Sequence, residues 1–217
     1  MITSDLLASS HGTEGLPLLV WRFGQPMTVA STAPSGGGIG FRRWIINAQV
    51  PLDYSRRDPE RHVEELATAQ SLPGPGVGML TAADVASVVR VEDSGVSVET
   101  TVGISHPVWA ASAERPEGEP RTGTINVVAF VPTTFSEAAL LNALCTATEA
   151  KSQALFLAGI EGTGTASDAV TVVCASRGST EVFGGPRSRW GAPLARAVCA
   201  AVQKGCTAPT SQGTGRT

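Results

Sequence analysis

Residues 146–168 read TATEAKSQALFLAGIEGTGTASD and set a carboxylate, Glu149, and an amine, Lys151, among alanines and leucines. The run then closes through a Gly/Thr turn on a second carboxylate, Asp168. Positions 140, 144, 147, 151 and 154 share one helical face, so Lys151 projects from a stripe of Leu140, Leu144, Ala147 and Ala154. An ammonium there finds an anionic partner, gives up its proton, or snorkels to water at the helix edge. Asp168, which opens the next apolar run, is the natural partner. Glu149 stands two residues from Lys151 and therefore on another face, with Asn142, Cys145 and Ser152. It reads either as a general base or as part of a solvated helix face. The turn Gly162-Thr163-Gly164-Thr165 offers backbone N–H groups and two hydroxyls. It can hold a carboxylate, a phosphate or the oxyanion of an acyl transfer, or it simply leads into a strand, with glycine supplying positive φ.

Other polar residues are candidates by position. Asn126 lies in an apolar strand pattern (TINVVAFV) and must be hydrogen-bonded, to clamp a loop or to orient a substrate amide. Of the three histidines, His106 before Pro107 sits at a strand end and is the best base, while His62 lies in a helix and His11 near the N-terminus. None has triad or metal-ligand spacing. Trp190 sits in the loop GGPRSRWGAP with Arg187, Ser188 and Arg189. That loop either covers a large flat ligand by stacking or packs on itself. The glycine loop SGGGIG at 35–40 lacks the Gly-Lys-Ser/Thr ending of a phosphate loop and the GxGxxG of a dinucleotide site. Cys145, Cys174, Cys199 and Cys206 form no CxxC pair and have no histidine at zinc spacing, so they read as buried residues or free thiols, and no metal site is expected.

The elements that must position these groups follow from periodicity. Strands are predicted at 16–23 and 28–32 around a turn at Gly24-Gln25-Pro26, then at 41–50, 77–80, 95–105, 124–131 and 168–175. Helices are predicted at 58–70, with Asp58 as cap and Pro59 in first position, at 136–158 and at 193–202. Thr81 and Asp84 have capping-box spacing for a short helix to about Val89. A Pro/Glu/Gly surface loop is expected at 114–121, a flexible N-terminus at 1–14, one domain at 15–206 and a disordered tail at 207–217. The pattern predicts a single-domain α/β or α+β layered sandwich, a mixed sheet covered by helices. The chain is 42% hydrophobic and 16% charged, enough for a sizeable core, and its net charge of −3 argues against nucleic-acid binding. It has no apolar run long enough for a membrane span and no signal-peptide start, so a cytoplasmic location is expected.

Seven segments in register resemble the adenosylcobinamide amidohydrolase family, the CbiZ type. They are NAQVP (47–51), VGMLTAADV (77–85), TVGISHP (101–107), GTIN (123–126), TATEAK (146–151), GTGTASDA (162–169) and GPRSRWGAPLARAV (185–198). The resemblance spans roughly residues 35–205. The last threonine of a TGTxTD pattern is Ser167 here, which keeps the hydroxyl. The resemblance implies cleavage of the amide joining aminopropanol to a propionate of the corrin ring, giving adenosylcobyric acid in corrinoid salvage.

The small-molecule substrate would carry the cobalt, no separate cofactor is expected, and a homo-oligomer is open. Amide hydrolysis needs a nucleophile or activated water, an oxyanion stabiliser and an acid for the amine. The expected catalytic set is Glu149 as base, Lys151 as acid or tuning group, Asp168 as its counter-ion, and Thr165 as oxyanion donor or nucleophile. Asn47, Gln49, Asp84, His106, Asn126, Thr163, Ser188 and Trp190 are the expected substrate contacts. The alternatives are a corrinoid-binding protein without turnover and an amidase for a different large amide.

Overall fold

The computed structural model describes residues 2–8, 15–112 and 123–207. Its strands are β1 (Asp5–Leu7), β2 (Leu18–Ser31), β3 (Gly38–Gln49), β4 (Gly76–Thr81), β5 (Val89–Asp93), β6 (Val96–Gly103), β7 (Thr124–Val131), β8 (Thr134–Phe135), β9 (Ala169–Cys174) and β10 (Thr180–Glu181). The helices are α1 (Pro59–Ala69), α2 (Glu137–Leu157) and α3 (Gly191–Thr207). One mixed sheet runs β4-β3-β2-β9-β7-β6-β5, with β1 added on β2, while β8 and β10 pair separately.

The sheet doubles over itself into two layers, and the alternation of side chains says so. Leu18, Val20, Trp44 and Ile46 pack on Val63, Leu66 and Ala67 of α1. Their neighbours Leu19, Trp21 and Ile45 turn the other way, to meet Val128, Phe130 and Val173 of the opposite layer. Odd-numbered positions of β7, from Ile125 to Val131, face α2 and α3. The order is helix, sheet, sheet, helix, with both faces of each sheet layer apolar. The alanine stripe of α2 (Ala139, Ala143, Ala147, Ala150, Ala154) is buried and lets that helix approach closely.

The bend in β2 makes the doubling possible. The sequence predicts two strands and a turn here, but the chain continues as one strand whose register against β3 shifts between Arg22 and Met27. Pro26 cannot donate to a ladder, and a bulge accommodates it. Beyond the bulge, Thr28–Ser31 pair with β9, while Leu18–Val20 pair instead with β1. Residues 5–7 of the segment expected to be flexible thus form an ordered strand, and Ser4 donates its N–H to Glu99 at 2.9 Å. Residues 9–14 with His11, the expected loop at 114–121 and the tail from 208 lie outside the described residues.

The short helix expected to reach about Val89 is only the 3-10 turn Val85–Ser87, after which β-branched residues continue as β5. A two-residue turn with positive φ at Ser94 and Gly95 joins β5 to β6. Asp58 is at the cap of α1 but makes no side-chain cap bond, because its carboxylate is held by Arg56. No helix among the described residues is long and apolar enough to cross a membrane.

Candidate active site

One end of the sandwich collects the C-terminal ends of β3, β4 and β6, the N-terminal ends of β7 and β9, and the last turns of α2. At that end Lys151 leaves the apolar face of α2, with its side chain 7% exposed, and its Nζ meets Asp168 Oδ2, whose side chain is 9% exposed. Asp168 is anchored further by the chain around it. Its Oδ1 accepts from Ile125 N at 2.9 Å and from the Thr165 hydroxyl, and its Oδ2 also accepts from Thr165 N at 3.1 Å. With Lys151 that makes two donors on each oxygen, so the lone-pair sites of the carboxylate are filled. The Thr165 hydroxyl also lies 2.6 Å from Gly123 O and shares its single proton between two acceptors. Ser167 Oγ bonds the same carbonyl at 3.1 Å and Thr124 Oγ1 at 2.8 Å.

Glycine is required beside this cluster. A Cβ on Gly164 would run into Asp168 Oδ2 and Lys151 Nζ. A Cβ on Gly162 would stand 2.9 Å from Pro107 Cβ and 3.0 Å from Val108 N. Both turns are stitched to each other: Val108 N donates to Gly164 O at 2.8 Å, Thr163 N donates to Val108 O at 2.9 Å, and Ala110 N donates to Thr163 Oγ1 at 3.0 Å. Ser152 Oγ donates to Thr163 O at 2.8 Å and ties the turn to α2.

The structure therefore brings Lys151, Thr165 and Asp168 together and keeps Glu149 apart. Glu149 is exposed on the outer side of α2, because a two-residue offset turns it away from the Lys151 face. The Thr163 and Thr165 amides of the turn, where an oxyanion hole is expected, donate to Val108 O and to Asp168 Oδ2. Asn47 and Asn126 are each 2% exposed between the two sheet layers. Asn126 Nδ2 donates to Asn47 Oδ1 at 2.8 Å, and Asn47 Nδ2 donates to Thr101 Oγ1 at 2.9 Å. They link the two layers and are closed off from solvent. Gln49 accepts from Val85 N at 3.3 Å, and Asp84 accepts from Ala86 N and from Ser87 Oγ. Both shape the β4–β5 connection at the site end. His106 is partly buried next to Gly123, its backbone N 3.4 Å from where a Cβ there would sit.

Ser188 and Trp190 lie at the opposite end. Ser188 Oγ accepts from Gly191 N at 3.0 Å and caps α3. Trp190 packs on the helix-side core and comes within 3.9 Å of where a Cβ on Gly95 would lie, at the start of β6, whereas the cluster adjoins its end at Gly103.

Two residues escape sequence reasoning. Glu99 alternates with valines in β6, and the second sheet layer buries it to 4% exposure. It is satisfied there by Arg90, Ser4 and Trp21, whose indole N–H lies 3.1 Å away. Trp109, next to the paired Val108, is 54% exposed at the site end. Its sequence neighbourhood gave no periodic signal. No group of three or more His, Cys, Asp or Glu among the described residues is disposed to hold a metal ion.

The domain is thus a layered α/β sandwich that carries a buried ammonium–carboxylate–hydroxyl cluster at its strand ends. The chain belongs to the adenosylcobinamide amidohydrolase (CbiZ) family, whose profile matches residues 4–214. It is an amide hydrolase. It is 30% identical over 178 residues to the adenosylcobinamide amidohydrolase of Methanosarcina mazei, covering 78% of this chain and 85% of that one. With the enzyme of the same name from Halobacterium salinarum it shares 32% identity over 182 residues, covering 80% and 77%. A Burkholderia sp. beta-aminopeptidase of known structure superposes with a TM-score of 0.43 at 12% identity, covering 94% of this chain and 82% of that one, too loosely to bear on function.

Proposed function

We propose that this enzyme hydrolyses the aminopropanol amide of adenosylcobinamide, releasing adenosylcobyric acid for corrinoid salvage in the cytoplasm. Family membership supports the substrate. The observation that carries the chemistry is the buried Lys151–Asp168 pair with the Thr165 hydroxyl on the same carboxylate. Burying two charges is costly, and a well-packed apolar pair serves stability about as well. That cost supports a role for the pair in the reaction.

The bonding pattern favours the threonine hydroxyl over water as nucleophile. Both oxygens of Asp168 already hold two donors, so a water has no vacant lone pair to occupy. Of those donors, the Thr165 hydroxyl is the one whose oxygen can attack a carbonyl. Its proton passes to Asp168 Oδ1 as Oγ1 bonds the amide carbon. The Lys151 ammonium stabilises the developing oxyanion and then gives a proton to the departing nitrogen as the C–N bond breaks. That leaves a neutral Asp168–Lys151 pair and an ester on Thr165. Proton transfer across the Lys151–Asp168 contact restores the ion pair. Water then cleaves the ester, one proton returns to Thr165 Oγ1, and the acid leaves.

Mass spectrometry of adenosylcobinamide after incubation, with and without chelator, tests the reading. Adenosylcobyric acid and free aminopropanol support it, and the chelator arm reports whether a metal assists. Unchanged adenosylcobinamide with folded protein contradicts it. A stable coloured complex of unaltered mass would favour a corrinoid-binding protein. Turnover of other amides without corrinoid binding would favour a different amidase.

A further inference from the structure

Resting on that reading of the substrate, we infer that Trp109 is the platform on which a planar conjugated face of the substrate stacks while its amide reaches Thr165. Trp21 is 1% exposed and Trp44 7%, and Trp190 packs against the core. Trp109 alone among the tryptophans keeps most of its surface in water, at 54% exposure. An exposed indole offers a flat π-face for stacking, and this one is carried on the segment paired with the Gly162–Thr165 turn.

The backbone around Trp109 is fixed to the catalytic turn from both sides. Val108 pairs in antiparallel fashion with Gly164, and Ala110 N donates to Thr163 Oγ1 at 3.0 Å. Gly164 in turn lies against both charged groups of the cluster, where a side chain would collide with them. The indole is thus carried on a segment whose position relative to Lys151 and Asp168 is set by hydrogen bonds. Val108, 37% exposed, adds apolar surface beside it. A half-exposed indole on a segment hydrogen-bonded to the turn beside the cluster suits a ligand with a flat π-face and an amide on a short arm. Adenosylcobinamide offers two such faces, the adenine of its upper ligand and the conjugated corrin system. Stacking chemistry is the same for both, and the assay separates them.

Steady-state kinetics of wild type, Trp109→Ala and Trp109→Phe with adenosylcobinamide and with cyanocobinamide decide the matter, alongside thermal melts of each variant. Stacking on an aromatic side chain is worth enough that Trp109→Ala should raise KM about tenfold or more. kcat should stay within about threefold, and Trp109→Phe should recover most of the loss, because the ring and not the indole N–H carries the contact. Loss of affinity for the adenosyl form alone identifies adenine as the stacked face, and equal loss for both forms identifies the corrin. Unchanged KM in Trp109→Ala overturns the inference, as does a fall in kcat alone. If wild type acts on neither cobinamide, the reading of the substrate fails first, and tryptophan fluorescence titration with both cobinamides then tests Trp109 alone. Quenching in wild type that disappears in Trp109→Ala supports the platform, and quenching that persists overturns it.

Discussion

The two halves of the buried ion pair should respond unequally to substitution. In Lys151→Met, Asp168 loses one donor and keeps Ile125 N, Thr165 N and the Thr165 hydroxyl. The cost is that of one hydrogen bond to a charged group, about 1.5–3 kcal/mol. Asp168→Asn is worse. The amide oxygen can replace Oδ1, but its NH2 group then faces two donors, Thr165 N and the Lys151 ammonium. An ammonium 7% exposed is left without its counter-ion, and breaking a buried pair in this way costs about 3–5 kcal/mol. The double variant Lys151→Met/Asp168→Asn removes the stranded charge and should be more stable than Asp168→Asn alone, by about 1 kcal/mol or more. Urea unfolding, read at constant m, measures all three differences. If Asp168→Asn is no more destabilising than Lys151→Met, or if the two losses add in the double variant, the pair is not coupled as described.

Gly164→Ala should lower turnover by about a hundredfold or more, because its methyl displaces Asp168 Oδ2 or Lys151 Nζ and small misplacements of reacting groups are that costly; kcat/KM is the check. Glu149→Ala should change stability by less than about 0.5 kcal/mol and leave turnover near wild type, since the residue is exposed and outside the cluster. A loss of turnover there would restore Glu149 as the base. Arg196 holds the Asp93 carboxyl down to about 2 through two 2.7 Å bonds. A lowered pKa stabilises the fold above the unfolded value and the gain disappears as pH falls from the ordinary 3.8 toward about 2, so melting temperatures of Asp93→Asn should show a flatter dependence there than wild type. Burial pushes the Cys174 thiol upward, so it should react with an aromatic disulfide only on unfolding, while exposed Cys145 reacts at once.

Much of the fold was legible because its periodicities are strong. The α2 helix, with Ser136 as cap, and the buried strands β7 and β9 match the sequence expectation to within a residue or so. So does the pairing of Lys151 with Asp168, which follows from an amine on an apolar helix face. The doubling of the sheet was not legible. It depends on a bulge at Pro26 and on where β9 leaves β2, and both are long-range events with only a local turn signature. That doubling decides where the strand asparagines lie. Asn47 is expected as a substrate contact and Asn126 as a loop clamp or a substrate contact, and the second layer closes over both. Trp190 and Trp109 show the same limit. A Gly/Pro loop with arginines looks like a ligand cover, yet strand direction carries it to the far end of β6 and leaves Trp109 beside the cluster.

The central claim, that the Thr165 hydroxyl held on Asp168 is the attacking group, is tested most directly by the turnover of adenosylcobinamide in Thr165→Ser and Thr165→Val. Thr165→Val keeps the side chain's shape and removes the hydroxyl, whereas Thr165→Ser keeps the hydroxyl and removes only the methyl group. The account predicts measurable turnover in Thr165→Ser and a loss of about a thousandfold or more in Thr165→Val, with corrinoid binding retained in both. Turnover in Thr165→Val above about a tenth of wild type would contradict it, since a residue that attacks the carbonyl cannot be dispensable to that degree.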